Sequence, residues 1–415
     1  MRILKKSICL LLTFAMLFWI AGCGSSNADS KVVNLSENIQ PVKVKQQKLS
    51  NDFISTQQDF ALEVFATESK KHTGNLNISS YSLSFALSIV AGGAQGNTLS
   101  QFEAVLMNSM NSKEWNKNMY SYLQKNKNYL SQADSLWISK YEKDVKQGFL
   151  QNTLGNFDAC VYSINFGNKN AVHQVNSWVS EKTKGKINSI VDKFDANTAM
   201  YVADAVYINT PWETTHRADD VKEEVFTCAN GNESTVKMMY SNLSENQPSY
   251  IKDENAEGFI KSCQGDYKFI ALMPSLEIDI NDYIASLDGN RLRNILSSGE
   301  KVKLKTGMPY FTIESSINFK ETLIEMGIKD AYDAYNADFT GILDDNTLYL
   351  GETSQKTYIN VDIGGIHAAS ATGQEIIYKS PISTEEKAVV LNRPFVYIIA
   401  NEYNIPIFIG VVTTL

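Results

Sequence analysis

The chain has few cysteines and histidines, and those it has form no recognisable metal or disulfide pattern. Its 415 residues include only five cysteines and four histidines. An odd number of widely separated cysteines is not typical of a disulfide-rich scaffold. The sequence contains no CxxC pair and no closely spaced histidines, which are the usual ligands of zinc. We therefore predict neither a metal centre nor a bound cofactor.

An excess of positive charge is also absent. The chain carries 38 basic and 46 acidic residues, a formal net charge of −8, without a long run of either sign. Proteins that bind nucleic acid concentrate positive charge to neutralise phosphate groups. DNA and RNA are therefore not the expected partners.

Common catalytic motifs are missing as well. The sequence has no GxSxG turn, no glycine-rich phosphate loop and no HExxH helix. Apolar residues are plentiful, because 43% of the chain is hydrophobic and 11% is aromatic. Such a composition can bury a large core. We expect a globular protein without a recognisable catalytic centre.

The N-terminus has the layout of an export signal. Three basic residues precede an apolar run over residues 8–21, which is shorter than the ~20 residues that a membrane span needs. The run ends in "IAGC" at residues 20–23, which resembles the bacterial lipobox, whose cysteine is lipidated. We predict a signal peptide over residues 1–22 and a lipid on Cys23 that anchors the protein to the outer face of a bacterial cell membrane. An uncleaved transmembrane helix and a cleaved, unanchored form are the alternatives.

The body of the chain predicts one α+β domain. Residues 23–47 are polar without apolar periodicity, so we predict a flexible tether there and a single domain over 48–415. Apolar residues from Phe53 to Phe65 share one helical face, a second helix is predicted from Ser82 to Gly92, and a third is predicted with Thr98 as its cap. Later β-branched and aromatic runs predict strands. These runs are "YVADAVYIN", "KFIALMP", "KVKLKTGMPYFTIES", "LYLGE", "KTYINVDIG", "PFVYIIANE" and "PIFIGVVT".

Six segments follow one another in the order and pattern of a single known protein family. They span nearly the whole chain after the N-terminal segment. The segments are "NLNISSYSLSFALSIVAGGAQGNTLSQF", "ADAVYINTPWETTH", "GNESTVKMMY", "ALMPS", "MPYFTIESSINFKETLIEMGIKDAYDAYNADFTGI" and "NRPFVYIIANEYNIPIFIGVVT". They resemble those of the serpins, and the resemblance implies the serpin fold, with three β-sheets, eight or nine helices and an exposed reactive-centre loop at about residues 363–392.

The resemblance also implies an inhibitory mechanism. Serpins are suicide substrates of serine proteases: after cleavage of the loop, the loop inserts into a large β-sheet while the protease is held in a covalent acyl complex. The nucleophile belongs to the protease, so the serpin itself is not an enzyme. The family's spacing implies a scissile bond between Lys379 and Ser380, which suits a trypsin-like protease. The implied hinge of the loop comprises Gly365, Ile366, Ala368, Ala369, Ser370, Ala371 and Thr372.

The residues of the loop fit an inserting strand. Side chains alternate between the two faces of a strand. From residue 366 onward one face is uncharged, whereas His367, Glu375 and Lys379 all fall on the other. An unpaired charge is costly under covering helices, so the uncharged face is the one expected to be buried. A strand from Gly365 to Lys379 would be roughly 50 Å long.

Some positions depart from the family pattern. Ile363 and Gly364 stand where glutamate is usual, and Ile366 replaces a usual threonine or serine. In the region where the sheet opens, Gln355 replaces a usual histidine and Asp204 a usual asparagine, and we expect them to exchange hydrogen bonds if both face the gap. The predicted sheet-opening residues are Asn75, Ser79, Ser82, Asp204, Trp212 and Gln355.

Several alternatives remain open. The altered residues 363–366 favour a non-inhibitory, serpin-like binding protein whose loop is cut without trapping the protease. A scissile bond displaced by one residue, between Tyr378 and Lys379, would suit a chymotrypsin-like or subtilisin-like enzyme. A cysteine protease is a further candidate target. The run Ala368–Ala371 favours inhibition.

Overall fold

The computed structural model describes residues 32–108, 110–126, 128–139, 144–243, 249–367 and 386–415. Within these ranges the chain forms three β-sheets and nine α-helices. The predicted α+β architecture with three sheets is confirmed. The helices, numbered in chain order, are α1 Asn51–Ser69, α2 Ser80–Ala91, α3 Gly96–Phe102, α4 Ser112–Asn126, α5 Gln147–Phe157, α6 Ala171–Lys182, α7 Ile280–Ala285, α8 Gly289–Ser297 and α9 Lys320–Met326.

The strands divide into a main sheet of eight strands, a second sheet of six and a small sheet of four. Numbered in chain order, they are β1 Val33–Asn34, β2 Leu76–Ile78, β3 Leu130–Ser139, β4 Cys160–Ile164, β5 Met200–Ile208, β6 Thr210–Pro211, β7 Val221–Thr227, β8 Glu233–Leu243, β9 Tyr250–Lys252, β10 Ala256–Ser262, β11 Lys268–Pro274, β12 Lys303–Pro309, β13 Phe311–Asn318, β14 Leu350–Asp362, β15 Gly365–His367, β16 Glu386–Val390, β17 Phe395–Ala400 and β18 Pro406–Val412.

The main sheet has the order β1-β4-β3-β5-β14-β15-β6, and β13 also pairs with β14. Helix α2 packs against β3 and β5 on one face, and α6 packs against the same strands on the other. Residues of β5 alternate between two apolar clusters: Val202 and Val206 join the large core, whereas Tyr201, Ala203 and Ala205 pack in the cluster with α6. The centre of this sheet is thus buried on both faces, so any polar side chain there needs a partner.

The first helices agree with the prediction in their existence but not in their capping residues. The predicted apolar face of α1 is buried from Phe53 to Phe65. Helix α2 begins two residues before Ser82, because the Ser79 hydroxyl accepts a hydrogen bond from the Ser82 amide and caps the helix. Thr98 is not a cap: it lies inside α3, and its hydroxyl accepts a bond from the Asp338 amide at 2.9 Å.

The predicted strands do not include β3 and β4. The sequence of β3, "LSQADSLWIS", mixes polar and apolar residues without clean alternation. Tertiary pairing decides its conformation, since β3 lies antiparallel to β5 from Leu130 to Ile138 and parallel to β4. Long-range pairing of this kind overrides weak local propensity.

The prediction of a flexible tether over residues 23–47 is wrong from residue 33 onward. Strand β1 pairs with β4 at the outer edge of the main sheet. The Val42 amide then donates to the Gln151 carbonyl at 3.2 Å, and the Gln47 amide donates to the Ser121 hydroxyl at 2.9 Å. Val42 also packs directly over Gly155, where a Cβ would meet the Val42 carbonyl oxygen at 2.5 Å. These residues are part of the domain.

The predictions for residues 1–22 and Cys23 lie outside the described residues. In the part of the chain that the structure describes, no helix is both long and apolar enough to span a membrane.

Candidate functional site

We call the boundary between β5 and β14 in the main sheet the gap, because the sequence resemblance implies that the loop would enter the sheet there. These two strands pair directly and in parallel, from Met200 opposite Leu350 to Tyr207 opposite Tyr358. Beyond the end of β5, the short strand β15 lies between β14 and β6. The first residues of the predicted hinge therefore already form a strand in line with the gap.

Gly365 and Ile366 fit this position for different reasons. Gly365 has a φ of +151°, and a Cβ there would meet the Thr210 carbonyl oxygen at 2.5 Å and the Trp212 amide nitrogen at 2.9 Å. Only glycine allows this close approach. Ile366 pairs with Val361 and Thr210, and it is fully buried in the large core. The unusual isoleucine thus fills an apolar site within the sheet.

Two residues hold the turn that precedes the hinge. The Trp212 amide donates to the Gly364 carbonyl at 3.0 Å, and the Trp212 indole N–H donates to the Asp362 carbonyl at 2.8 Å. The His216 amide donates to the Ile363 carbonyl at 3.1 Å. Three consecutive carbonyls of the turn are therefore fixed by Trp212 and His216.

A buried lysine lies beside these two residues. The Lys261 ammonium group lies 5.3 Å from the centre of the Trp212 ring and donates to the Thr214 carbonyl at 3.1 Å. The Lys261 residue is only 3% exposed. Burial lowers the pKa of Lys261 to about 8. We call Trp212, His216 and Lys261 the entrance cluster.

His216 is kept neutral within the entrance cluster. Burial, and to a smaller extent the positive charge of Lys261, lower the pKa of His216 to about 3. Its Nδ1 lies 2.9 Å from the Tyr240 carbonyl oxygen, so Nδ1 carries the proton in the neutral ring. Its Nε2 is buried without a hydrogen-bond partner. A second proton on this ring would therefore be unfavourable.

Four of the predicted sheet-opening residues meet in the middle of the gap. Gln355 on β14 lies directly opposite Asp204 on β5, and its amide donates to Asp204 at 2.6 Å. The same amide group donates to the Ser79 carbonyl at 2.9 Å and accepts from the Ser79 amide at 3.0 Å. The Ser82 hydroxyl donates to Asp204. Gln355 and Asp204 thus bond across the gap and tie both strands to the start of α2.

Sequence reasoning missed a second carboxyl group in this network. Asp134 on β3 lies directly opposite Asp204 and is hydrogen-bonded to it. Burial raises the pKa of Asp134 well above its ordinary value, and the negative charge of Asp204 raises it further. Burial also raises the pKa of Asp204, although bonds from Ser82 and Gln355 oppose this. One proton is therefore held on Asp134 and donated to an ionised Asp204 at neutral pH.

One feature of the sequence could have pointed to Asp134: it is an acidic residue just before the partly apolar segment "SLWIS". Gln132, two residues earlier on the same face of β3, donates to the Asp134 carboxyl group. We call Ser79, Ser82, Asp134, Asp204 and Gln355 the central network.

Asn75 lies outside the central network. Its side chain donates to the Thr414 carbonyl at 2.8 Å and accepts from the Thr413 amide at 2.7 Å. Asn75 thus secures the C-terminal end of the chain next to β18 in the second sheet.

The predicted loop over residues 363–392 is bounded more tightly by the structure. Strand β15 takes its first residues, and β16 takes residues 386–390 by pairing in parallel with β12 of the small sheet. The remaining predicted hinge residues and the predicted scissile bond lie outside the described residues. These are Ala368, Ala369, Ser370, Ala371, Thr372, Lys379 and Ser380.

No group of histidine, cysteine, aspartate and glutamate side chains in the described ranges could hold a metal ion.

Comparison with known proteins agrees with this arrangement. The chain matches the family model described as "Serpin (serine protease inhibitor)" over residues 55–415. It is 28% identical over 364 residues to the leukocyte elastase inhibitor of Xenopus tropicalis, and the alignment covers 82% of this chain and 93% of that protein.

Two solved structures of one thermophilic serpin, tengpin, are also similar. The native state gives a TM-score of 0.85 at 33% identity and covers 93% of this chain and 100% of tengpin. The latent state gives a TM-score of 0.76 at 31% identity and covers 89% and 100%. Since the family model spans most of the sequence, this chain belongs to the serpin family of serine protease inhibitors, some members of which are non-inhibitory.

Proposed function

We propose that this protein inhibits serine proteases as a suicide substrate, by insertion of its cleaved loop between β5 and β14. The observation that carries the proposal is the position of β15, which already lies between β14 and β6 at the end of the gap. Strands β5 and β14 pair directly over the rest of their length, so the space for an incoming strand is still closed. The higher similarity to the native than to the latent state of tengpin supports the same conclusion.

The register of β15 supports insertion residue by residue. Ile366 pairs with Val361, and His367 pairs with Asn360. Continued along β14 in the same antiparallel register, Ala368 would come opposite Ile359, which is buried and apolar. Apolar residues of the loop would thus meet apolar residues of β14 near the entrance.

Further along the gap the same register pairs polar residues with polar residues. Ser370 would come opposite Thr357, and Thr372 opposite Gln355. Insertion separates Gln355 from Asp204, which breaks their hydrogen bond. The Thr372 hydroxyl can accept a hydrogen bond from Gln355 and donate one to Asp204. The inserted loop would thus give both residues a new partner in place of the bond between them. This match supports inhibition over the non-inhibitory alternative.

The protease supplies the nucleophile in this mechanism. Its serine attacks the Lys379 carbonyl, the bond to Ser380 breaks, and an ester joins the protease to Lys379. Insertion over roughly 50 Å then carries the attached protease to the far end of the sheet before water hydrolyses the ester. Insertion releases energy stored in the native fold. The lysine at this bond suits a trypsin-like target.

The direct test is to mix the full-length protein with trypsin and to analyse the products on denaturing gels. We expect a complex that survives boiling, and mass spectrometry should find a released C-terminal peptide that begins at Ser380. A peptide that begins at Lys379 would move the bond by one residue, toward chymotrypsin-like or subtilisin-like targets. Clean cleavage without a complex by trypsin, chymotrypsin, subtilisin and papain would instead support a non-inhibitory binding protein.

Two matched variants test insertion itself. Thr372→Arg places a charge on the face of the loop that would be buried, and we expect trypsin to cleave it without forming a complex. Glu375→Arg places the same side chain on the opposite face, which carries charge already, and should still trap trypsin. Equal trapping by both variants would contradict the proposed register.

We also propose that the protein is exported and held at the outer face of a bacterial membrane by a lipid on Cys23. The "IAGC" sequence at residues 20–23 supports this. Metabolic labelling with a radioactive fatty acid during bacterial expression should label the full-length chain, but not a Cys23→Ser variant. An equally labelled variant would contradict the anchor.

A further inference from the structure

A cavity at the C-terminal end of α2 is not used by the proposed inhibition. It has a volume of about 650 Å³ and lies between residues 42–47 of the N-terminal segment and helices α2, α3, α4 and α5. Small-molecule sites in proteins usually have volumes of about 300–1,000 Å³. The cavity is therefore large enough for a small organic ligand.

The floor of the cavity is apolar. Three of its aromatic and sulfur-containing side chains, Phe149, Phe157 and Met107, are at most 5% exposed and belong to the large core. The apolar residues that line the cavity are Val42, Val44, Ala91, Ala94, Leu99, Met107, Phe149 and Phe157. Such a surface favours an aliphatic group over water.

The lining of the cavity is charged in one sign only. It includes Lys43 and Lys45 from the N-terminal segment and Lys113 and Lys117 from α4, but no aspartate or glutamate. All four lysines are exposed, and none has a carboxylate partner among the described residues. The whole chain has a net charge of −8, so a cavity lining with four lysines and no acidic residue is a local exception.

Repulsion among these lysines lowers the stability of the folded protein. Lys113 and Lys117 are four residues apart on one face of α4, where like charges repel each other. Lys43 and Lys45 bring two more positive charges to the same cavity. A bound anion would relieve this repulsion, because a concave site lined by one sign of charge concentrates ions of the opposite sign.

We propose that this cavity binds a single-chain amphiphile with an anionic headgroup, of which a fatty acid is the simplest example. The aliphatic chain packs on Phe149 and Phe157, and the carboxylate lies among the lysines. Residues 42–47 form one wall of the site, so the ligand also holds the N-terminal segment, and with it β1, against the domain. Binding to the folded state therefore stabilises the protein.

The first experiment is calorimetric titration of the full-length protein with dodecanoate below its micelle concentration. Dodecanol and dodecyltrimethylammonium serve as neutral and cationic probes with the same chain. We expect saturable binding of dodecanoate, weaker binding of dodecanol and the weakest binding of the cation. Equal affinity for all three probes, or no binding of dodecanoate, would overturn the proposal.

Variants of lining residues test whether dodecanoate binds in this cavity. The double variant Lys43→Glu/Lys117→Glu should weaken dodecanoate binding at least about tenfold, because it replaces two of the four positive charges of the lining with negative ones. Lys301→Glu, at an exposed lysine outside the cavity, is the control and should leave binding unchanged. Val44→Trp should also weaken binding, by filling the cavity.

Thermal unfolding of each variant separates loss of the site from loss of the fold. Dodecanoate should raise the melting temperature of the original protein and of Lys301→Glu, but not that of the double variant. The same shift in all three proteins would contradict the assignment to this cavity. Trapping of trypsin does not enter any of these measurements, so they stand apart from the proposed function.

Discussion

The entrance cluster and the central network are both buried along the same gap, but they carry ionisable groups of opposite sign. At the entrance, a lysine and a histidine lie together, and His216 and Trp212 bond to the backbone of the turn before the hinge. In the middle, two aspartates share a proton, and Gln355 bonds to Asp204 across the gap. The entrance therefore holds the turn before β15, whereas the middle holds β5 and β14 together.

The two regions also respond to pH in opposite directions. The raised pKa values of Asp134 and Asp204 mean that the folded state binds more protons than the unfolded state, so their contribution to stability is fully present below about pH 4 and is lost as pH rises. The lowered pKa of His216 has the reverse effect: its contribution is present above about pH 6.5 and is lost as pH falls toward about 3. Substitutions in the central network or in the entrance cluster test this difference in pH dependence.

The largest effect is expected from Gln355→Leu in the central network. Leucine leaves the ionised Asp204 without one of its donors and the Ser79 amide without its acceptor. Removing one partner of a buried charge typically costs about 3–5 kcal/mol. Urea unfolding at pH 7.5 should show a decrease in the free energy of unfolding of this order. A loss below about 1 kcal/mol would mean that the network does not hold β5 to β14.

The opposite sign is expected from Lys261→Met in the entrance cluster. The lowered pKa of Lys261 shows that burial disfavours its charged form, and methionine has a similar shape without the charge. We expect the free energy of unfolding at pH 7 to rise by about 1–3 kcal/mol. Lys252→Met, at an exposed lysine on β9, is the control and should change it by less than about 0.5 kcal/mol. A destabilised Lys261→Met variant would show that the contact with Trp212 outweighs the cost of burial.

A smaller effect is expected from Asp134→Asn, which removes one carboxyl group but keeps a donor to Asp204. At pH 7.5 we expect the free energy of unfolding to rise by about 1 kcal/mol. The difference from the original protein should shrink as pH falls toward about 4, because Asp134 is then protonated in the unfolded chain as well as in the folded state. Urea unfolding at pH 4.5, 6 and 7.5 measures this. A difference that is independent of pH would refute the shared proton.

The smallest effect at neutral pH is expected from His216→Asn, whose amide can still donate to the Tyr240 carbonyl. The free energy of unfolding at pH 7.5 should change by less than about 1 kcal/mol. Between pH 6.5 and 4.5, however, this variant should lose less stability than the original protein, because it no longer has a histidine that resists protonation. If both proteins lost the same free energy of unfolding over this pH range, His216 would not be the group that causes the loss.

Much of the central network could be predicted from the sequence, because Ser79, Ser82 and Asp204 lie in segments that resemble the family's pattern. The structure adds that Ser79 caps α2 and that Asp204 lies within the buried strand β5. Asp134 escaped prediction because its strand is too polar to be recognised. Its importance depends on lying opposite Asp204, which only the pairing of β3 with β5 creates.

Asn75 shows the opposite case. Its position in the sequence agrees with the family's pattern, but its side chain bonds to Thr413 and Thr414 at the far end of the chain. A motif match therefore predicted its neighbourhood in the sequence and not its partners in space. The N-terminal segment was misjudged for a related reason: its polar composition suggested a tether, although its backbone bonds to β4 and α5.

By itself, the sequence determined the family resemblance, the α+β class and the alternating pattern of the loop, since these depend on the order and periodicity of side chains. Tertiary structure alone decided the burial of Lys261, the proton shared by Asp134 and Asp204, and the cavity beside α4. Each of these depends on residues that are far apart in the chain and meet only on folding. Burial then changes their ionisation, because a charge removed from water is stable only with the partners that the fold provides.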